Sequence, residues 1–151
     1  MNSNAPRCWL LLFIVIVLAV QAESGCYIED EVTVTVLNKL EDTKTMIIQC
    51  RSTDDDLGKQ VIPYGELIQW RFKINIAHST LFYCDVEWRT FDENVGDICN
   101  GYHFIVYDAK RDDCRCKREC NWEIKDNGPL GQDEKGAWEN FPYEPQTCSA
   151  S

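Results

Sequence analysis

Ile68-Gln69-Trp70-Arg71-Phe72-Lys73-Ile74 alternates apolar and polar side chains without a break, and that period of two decides the fold class. Successive side chains on a strand point to opposite faces, so Ile68, Trp70, Phe72 and Ile74 share one buried face. The same pattern recurs on both sides of this stretch. Upstream, Val32, Val34 and Val36 alternate with Thr33 and Thr35, a half-buried strand of β-branched residues, and Met46-Ile47-Ile48 leads into Cys50. Downstream, Leu81-Phe82-Tyr83-Cys84 with Val86 and Trp88 reads as the hairpin partner of the central stretch. Tyr102, Phe104 and Val106 alternate with His103, Ile105 and Tyr107, and Cys120, Trp122 and Ile124 close the series. No run of useful length repeats at 3.6 residues.

Turn signals separate these runs: Asp54-Asp55-Asp56-Leu57-Gly58, Pro63-Tyr64-Gly65, Asn94-Val95-Gly96-Asp97 and Asn127-Gly128-Pro129. Six or seven short strands at this spacing predict an all-β fold, a small disulfide-braced antiparallel β-sandwich, immunoglobulin-like in general shape. From about residue 129 the chain turns polar and bears Gly and Pro. It is expected to wrap the domain as a tail pinned by Trp138, Phe141 and Tyr143.

Residues 1–22 read as a secretory signal. Arg7 supplies the positive flank, Trp9 to Val20 is a 12-residue apolar run, and Val20-Gln21-Ala22 offers small residues at the cleavage spacing. That run falls short of the ~18–20 residues a membrane span needs, so no membrane insertion of the mature chain is expected. Residues 23–151 then form a single domain. Of the nine cysteines, Cys8 leaves with the leader; Cys26, Cys50, Cys84, Cys99, Cys114, Cys116, Cys120 and Cys148 remain. An even set in an exported chain predicts a disulfide framework. The 15 Lys and Arg against 25 Asp and Glu give a net charge of −10, which repels phosphate backbones and excludes nucleic acid as a natural partner.

Catalytic machinery is not visible. With eight cysteines to pair, no thiol is left for His78 or His103 to activate, and no nucleophile elbow or glycine-rich phosphate loop is present. His103, on the alternate face to Phe104, is expected to be solvated or at the core edge. Cys114-x-Cys116-x₃-Cys120 lacks the second knuckle of a zinc site, and bridges are the expected use of these sulfurs. Asp54-Asp55-Asp56 lacks the alternating ligands and closing Glu of a calcium loop and reads as a solvated turn, one Asp capping local amides. No cofactor and no metal are expected, and no Asn-x-Ser/Thr sequon is present.

The ordered motifs nevertheless resemble a known family. Cys50-x-Ser52-x-Asp54-Asp55-Asp56-Leu57-Gly58, Trp70-x-Phe72, Thr80-Leu81-Phe82-x-Cys84 and Phe104-x-Val106-Tyr107-Asp108 look like successive signatures of the plant self-incompatibility S1 family, the S-protein homologues. Arg111-Asp112-x₃-Cys116, Cys120-x-Trp122-x-Ile124 and Asn127-Gly128-Pro129 continue the match, which runs from about Val32 to Pro129. The resemblance implies a small secreted plant protein with a β-sandwich core and no enzymatic activity. Its founding members are stigma ligands recognised by a pollen membrane receptor. The family's four shared cysteines map onto Cys50, Cys84, Cys116 and Cys120. Cys26, Cys99, Cys114 and Cys148 are additions, allowing two further bridges, one of them tying the N-terminus to the tail.

The function expected is therefore a secreted, apoplastic signalling ligand, held by a cell-surface receptor protein through inter-strand loops in segments 51–66, 89–101 and 108–118. The alternative is an apoplastic structural or defence protein that binds a cell-wall or foreign target. Candidate partner-binding residues are Asp54, Asp55 and Asp56 in the acidic turn, with Lys110, Arg111, Arg115, Lys117 and Arg118 forming a basic island on an acidic protein. Receptor identity and oligomeric state stay open.

Overall fold

The computed structural model describes residues 31–148, so the expected leader, Cys8 and Cys26 lie outside the described residues. Ten strands form two five-stranded sheets. They are β1 (Glu31–Asn38), β2 (Met46–Arg51), β3 (Asp56–Ile62), β4 (Leu67–Lys73), β5 (Leu81–Asp92), β6 (Gly96–Asp108), β7 (Glu119–Lys125), β8 (Gly128–Gln132), β9 (Trp138–Asn140) and β10 (Glu144–Pro145). A short helix α1 (Ala109–Arg115) links β6 to β7. One sheet runs β4-β1-β7-β8-β9 and the other β10-β6-β5-β2-β3. The all-β sandwich expected from the alternation is what forms, with one exception to antiparallel pairing: β1 runs parallel to β7, from Thr33 opposite Glu119 to Asn38 opposite Ile124.

The valine face of β1, Met46 and Ile48 of β2, Phe82, Val86 and Trp88 of β5, and Trp122 and Ile124 of β7 meet between the sheets. Aromatic rings tie the layers together. Phe72 lies 4.5 Å from Phe82, and Phe104 lies 5.4 Å from Trp122 (ring centroids).

Three expectations change. First, β4 and β5 are not a hairpin. β4 pairs with β1, whereas β5 pairs with β2 and β6 in the opposite sheet. Alternation reports that each strand has one buried face, and here those faces pack across the sandwich rather than side by side. Second, Tyr107 is buried together with Val106 instead of alternating with it. The register slips there, with Phe82 opposite Tyr107 but Tyr83 opposite Ile105, so a bulge turns Tyr107 inward. Third, the polar C-terminal segment supplies β8 and β9 to one sheet and β10 to the other. Phe141 packs 4.7 Å from Trp122 and Tyr143 4.9 Å from Tyr102, while Trp138 stays 41% exposed on the edge.

Cys50 and Cys84 stand opposite each other on β2 and β5 and are bridged, with Cα atoms 4.1 Å apart. Cys116 at the end of α1 is bridged to Cys120 on β7. The four signature cysteines therefore pair among themselves. Cys99 is bridged to Cys148, so the tail is fastened to β6 and not to the N-terminus. The cause is strand direction: β10 runs antiparallel to β6, and the Gln146 N–H bonds the Gly101 carbonyl at 2.9 Å, which carries Cys148 back to Cys99. Cys114 is disulfide-bonded as well.

The registers place the connections at two opposite ends. The 52–55 turn, the 74–80 loop, α1 and the 133–137 turn cluster at one end, where Arg51 faces Tyr83 and Leu81 faces Asp108. The 39–45 link and the 63–66, 93–95 and 126–127 turns lie at the other.

Candidate functional site

The end built around α1 holds most of the residues that the sequence singled out. Asp108 caps the helix, its side chain accepting from the Lys110 N–H at 3.0 Å. One turn later Asp112 faces inward and is wholly buried. A buried carboxylate requires compensation, and Asp112 has it from three sides. Arg111 donates through Nε and Nη2 at 2.9 and 2.6 Å, Arg115 through Nε at 2.6 Å, and the Asp108 N–H at 2.8 Å. Arg115 also donates from Nη1 to the Gln132 carbonyl at 2.8 Å, joining the helix to β8.

Both guanidinium groups lie against rings. Arg111 is 4.8 Å from the Phe141 centroid, and Arg115 is 4.8 Å from Trp122 and 4.9 Å from Phe141. Planar, weakly hydrated guanidinium groups suit such positions. The basic island is thus divided by the fold. Arg111 and Arg115 are spent on a buried charge and two aromatic rings, while Lys110, Lys117 and Arg118 are exposed. Lys117 pairs with Glu134 across the 133–137 turn.

The neighbouring Asp113 fastens α1 to the 74–80 loop. His78 Nδ1 is 3.0 Å from Asp113 Oδ2, and the Tyr107 hydroxyl donates to Asp113 Oδ1 at 3.2 Å. Burial, reinforced by the Asp113 charge, holds the Tyr107 phenol above its ordinary pKa, so it stays a donor. Inside the loop, Asn75 and Ser79 exchange side-chain and backbone bonds, and the Ala109 N–H donates to the Thr80 carbonyl.

In the acidic turn, the Ser52 hydroxyl accepts from the Asp54 and Asp55 N–H groups at 3.2 and 3.0 Å. Asp56 is the capping carboxylate, accepting from the Gly58 N–H at 2.8 Å and from Gln49. These bonds, Gln49's first, hold its pKa below the usual value. Asp54 and Asp55 remain exposed beside a polar cleft of about 300 Å³ whose other wall carries Asn75 and Ser79. Of the three segments expected to make contact, 51–66 brings only its first residues, 51–56, to this end, where 108–118 also lies, while its 63–66 turn is at the opposite end. Segment 89–101 projects from that opposite end. His103 sits on the outer face of β6 with Nδ1 2.8 Å from Asp85.

What sequence reasoning missed is the role of Asp112, Asp113 and His78, which organise this end, although Arg111-Asp112 stood in one of the motifs shared with the family. The arrangement is suited to presenting fixed polar loops to another molecule. The fold and its bridged ends define a small disulfide-braced β-sandwich of the loop-presenting kind.

A family model described as plant self-incompatibility protein S1 matches residues 33–144, and the chain belongs to that family. It is 34% identical to self-incompatibility protein S1 of Papaver rhoeas over 69% of this chain and 70% of that protein. It is likewise 35% identical to S-protein homolog 5 of Arabidopsis thaliana (74% of this chain, 78% of the relative) and 30% identical to S-protein homolog 29 (81% and 83%).

Proposed function

We propose that the chain is a secreted, non-enzymatic signalling ligand of the apoplast, recognised by a cell-surface receptor protein through its inter-strand loops. The observation that carries this reading is the family match across 33–144, which takes in the whole α1 end. Two further features support it. The cysteines bridge, as they do in oxidising compartments. Among the described residues no helix is long and apolar enough to cross a membrane. Pre-ordered loops lower the ordering cost of docking. Of the candidate residues at the α1 end, Asp54, Asp55, Lys110, Lys117 and Arg118 are exposed and are the proposed contacts; Asp56, Arg111 and Arg115 act by holding the loops in shape.

The test is binding of labelled, disulfide-intact protein to plant protoplasts. Saturable binding that is abolished by mild protease treatment of the cells supports the ligand reading. Binding confined to isolated wall polysaccharide, or no saturable binding, overturns it in favour of an apoplastic structural or defence role. Within a positive result, Lys110→Glu combined with Lys117→Glu is expected to weaken binding at least fivefold. Unchanged binding removes these lysines from the contact.

A further inference from the structure

At the end opposite α1, β5 and β6 run on past every neighbouring strand. β2 pairs with β5 only as far as Glu87, and β10 pairs with β6 at Tyr102 and His103. Beyond that, Arg89 opposite Cys99, Thr90 opposite Ile98, Phe91 opposite Asp97 and Asp92 opposite Gly96 pair with each other alone. Four such residue pairs make a two-stranded ribbon roughly 13 Å long with no further strand partner in its sheet. The side-chain pattern changes where the ribbon leaves the core. The inward positions, filled on β5 by Phe82, Val86 and Trp88, continue as Thr90 opposite Ile98, and Thr90 accepts a hydrogen bond from Asn100 at 3.0 Å.

A free two-stranded ribbon is marginally stable in water. This one is built to keep its shape. Asp92 Oδ1 accepts from the Asn94 and Val95 N–H groups and closes the turn, and Gly96 takes the left-handed φ of +88° that the turn needs. At the base, the Cys99–Cys148 bridge and the Gln146–Gly101 bond clamp the ribbon to the tail. On this braced tip stand two large apolar side chains, Phe91 and Val95, each 75% exposed. Around them are Asp92, Glu93 and Asp97 against the single cation Arg89.

We propose that this hairpin is an anchoring prong for a protein partner, with Phe91 and Val95 entering an apolar pocket on that partner and Glu93 and Asp97 meeting a basic rim around it. The proposal rests on the ligand reading above and names the chemistry of the receptor surface. Charge decides among the occupants. Anionic lipid heads are repelled by the acidic tip, and a second copy of this chain carries the same net charge of −10. A cationic protein surface is complementary to both the tip and the whole molecule. A rigid aromatic residue on a pre-ordered support is the kind of group that dominates binding energy.

The experiment compares wild-type protein with Phe91→Ser and with the Glu93→Lys, Asp97→Lys double variant in the protoplast binding assay, at low and high salt. Val61→Ser, which removes a side chain 67% exposed on the edge strand β3, is the control. The expected result is at least a tenfold loss of affinity for Phe91→Ser, a loss for the charge variant that shrinks as salt rises, and no change for Val61→Ser. Near-ultraviolet circular dichroism checks that the folds are unchanged, since the substituted side chains lie in solvent. Full binding by Phe91→Ser overturns the prong while leaving the ligand reading intact; absence of saturable wild-type binding overturns both. Phe91-dependent binding to protein-free vesicles of phosphatidylcholine and phosphatidylserine, or a Phe91-dependent dimer in sedimentation, overturns the protein partner in favour of lipid or of a second copy.

Discussion

Asp112 and Arg115 form a charge pair with 2.6 Å between Oδ1 and Nε, and the carboxylate has no contact with solvent. Removing Arg115 takes away one of the two guanidinium groups on this buried carboxylate and leaves it to Arg111 and the Asp108 N–H. Arg115→Ala is expected to lower unfolding free energy by about 2–3 kcal/mol in urea titration, the scale of a lost charge-assisted hydrogen bond. Arg115→Lys should recover only part of this, because an ammonium group cannot serve Asp112 and the Gln132 carbonyl in one plane. A loss below about 1 kcal/mol for Arg115→Ala, as exposed ion pairs show, would mean that the pair does not hold this end together.

Asn38 ends β1 with a wholly buried amide that makes three bonds: Nδ2 to the Lys44 and Ile62 carbonyls, each at 2.9 Å, and Oδ1 from the Leu40 N–H at 3.0 Å. Asn38→Ala strands these groups and should cost about 3 kcal/mol. Asn38→Asp sets a carboxylate against two carbonyl oxygens. It should therefore be more harmful at neutral pH than near about pH 4, where the acid begins to carry a donating proton. Thermal melts at the two pH values distinguish the substitutions.

Two surface groups set opposite pH limbs. The Asp56 carboxyl is held below its ordinary value of 3.8 by its hydrogen bonds, so its contribution is present above 3.8 and disappears as pH falls through the lower folded value. Lys44 is held above 10.5, chiefly by its 2.8 Å bond to Asp126, so its contribution is present below 10.5 and disappears as pH rises through the higher folded value. Asp56→Asn should narrow its gap from wild type on the acid limb, and Lys44→Met on the alkaline limb. Stability curves from acid to alkali check both signs.

Disulfide removal should be local in its effect. Cys99 and Cys148 are 49 residues apart in sequence, for which chain entropy alone suggests about 4 kcal/mol, against about 2 kcal/mol for Cys116 and Cys120 with a separation of 4. In the Cys99→Ser, Cys148→Ser variant, amide exchange should quicken most over residues 89–99. Residues 83–87, paired on both sides, should keep most of their protection. A uniform increase across both stretches would show that the bridge braces the whole domain and not the hairpin.

The strands were readable wherever one face alternates, because a period of two records burial directly. Ile68 to Ile74 and Val32 to Val36 are the plain cases. Which strand lies beside which was not readable: the valine face of β1 fits equally against β4, β5 or β7. β8 went unseen because Gly128-Pro129-Leu130-Gly131-Gln132 carries no β-branched residue and is held by pairing to β7. α1 is too short to show a helical period. At the candidate site, the acidic turn and its capping Asp were legible from local chemistry. The inward turn of Arg111 and Arg115 was not, since the charges of Asp112 and Asp113 look as solvated in sequence as those of Asp54 and Asp55. Exposed Phe91 and Val95 gave no sign of their position, because only the absence of neighbouring strands sets them apart.

The parallel pairing of β1 with β7 has a consequence for how the protein is made. A growing polypeptide that has emerged as far as Lys73 already holds both β1 and β4, yet the other edge of β1 has nothing to bond until Glu119 to Ile124 leave the ribosome. Contacts so distant along the chain form slowly, and an open edge backed by Val32, Val34 and Val36 invites aggregation while it waits. Chaperone demand during biosynthesis is thus written into the position of the first strand.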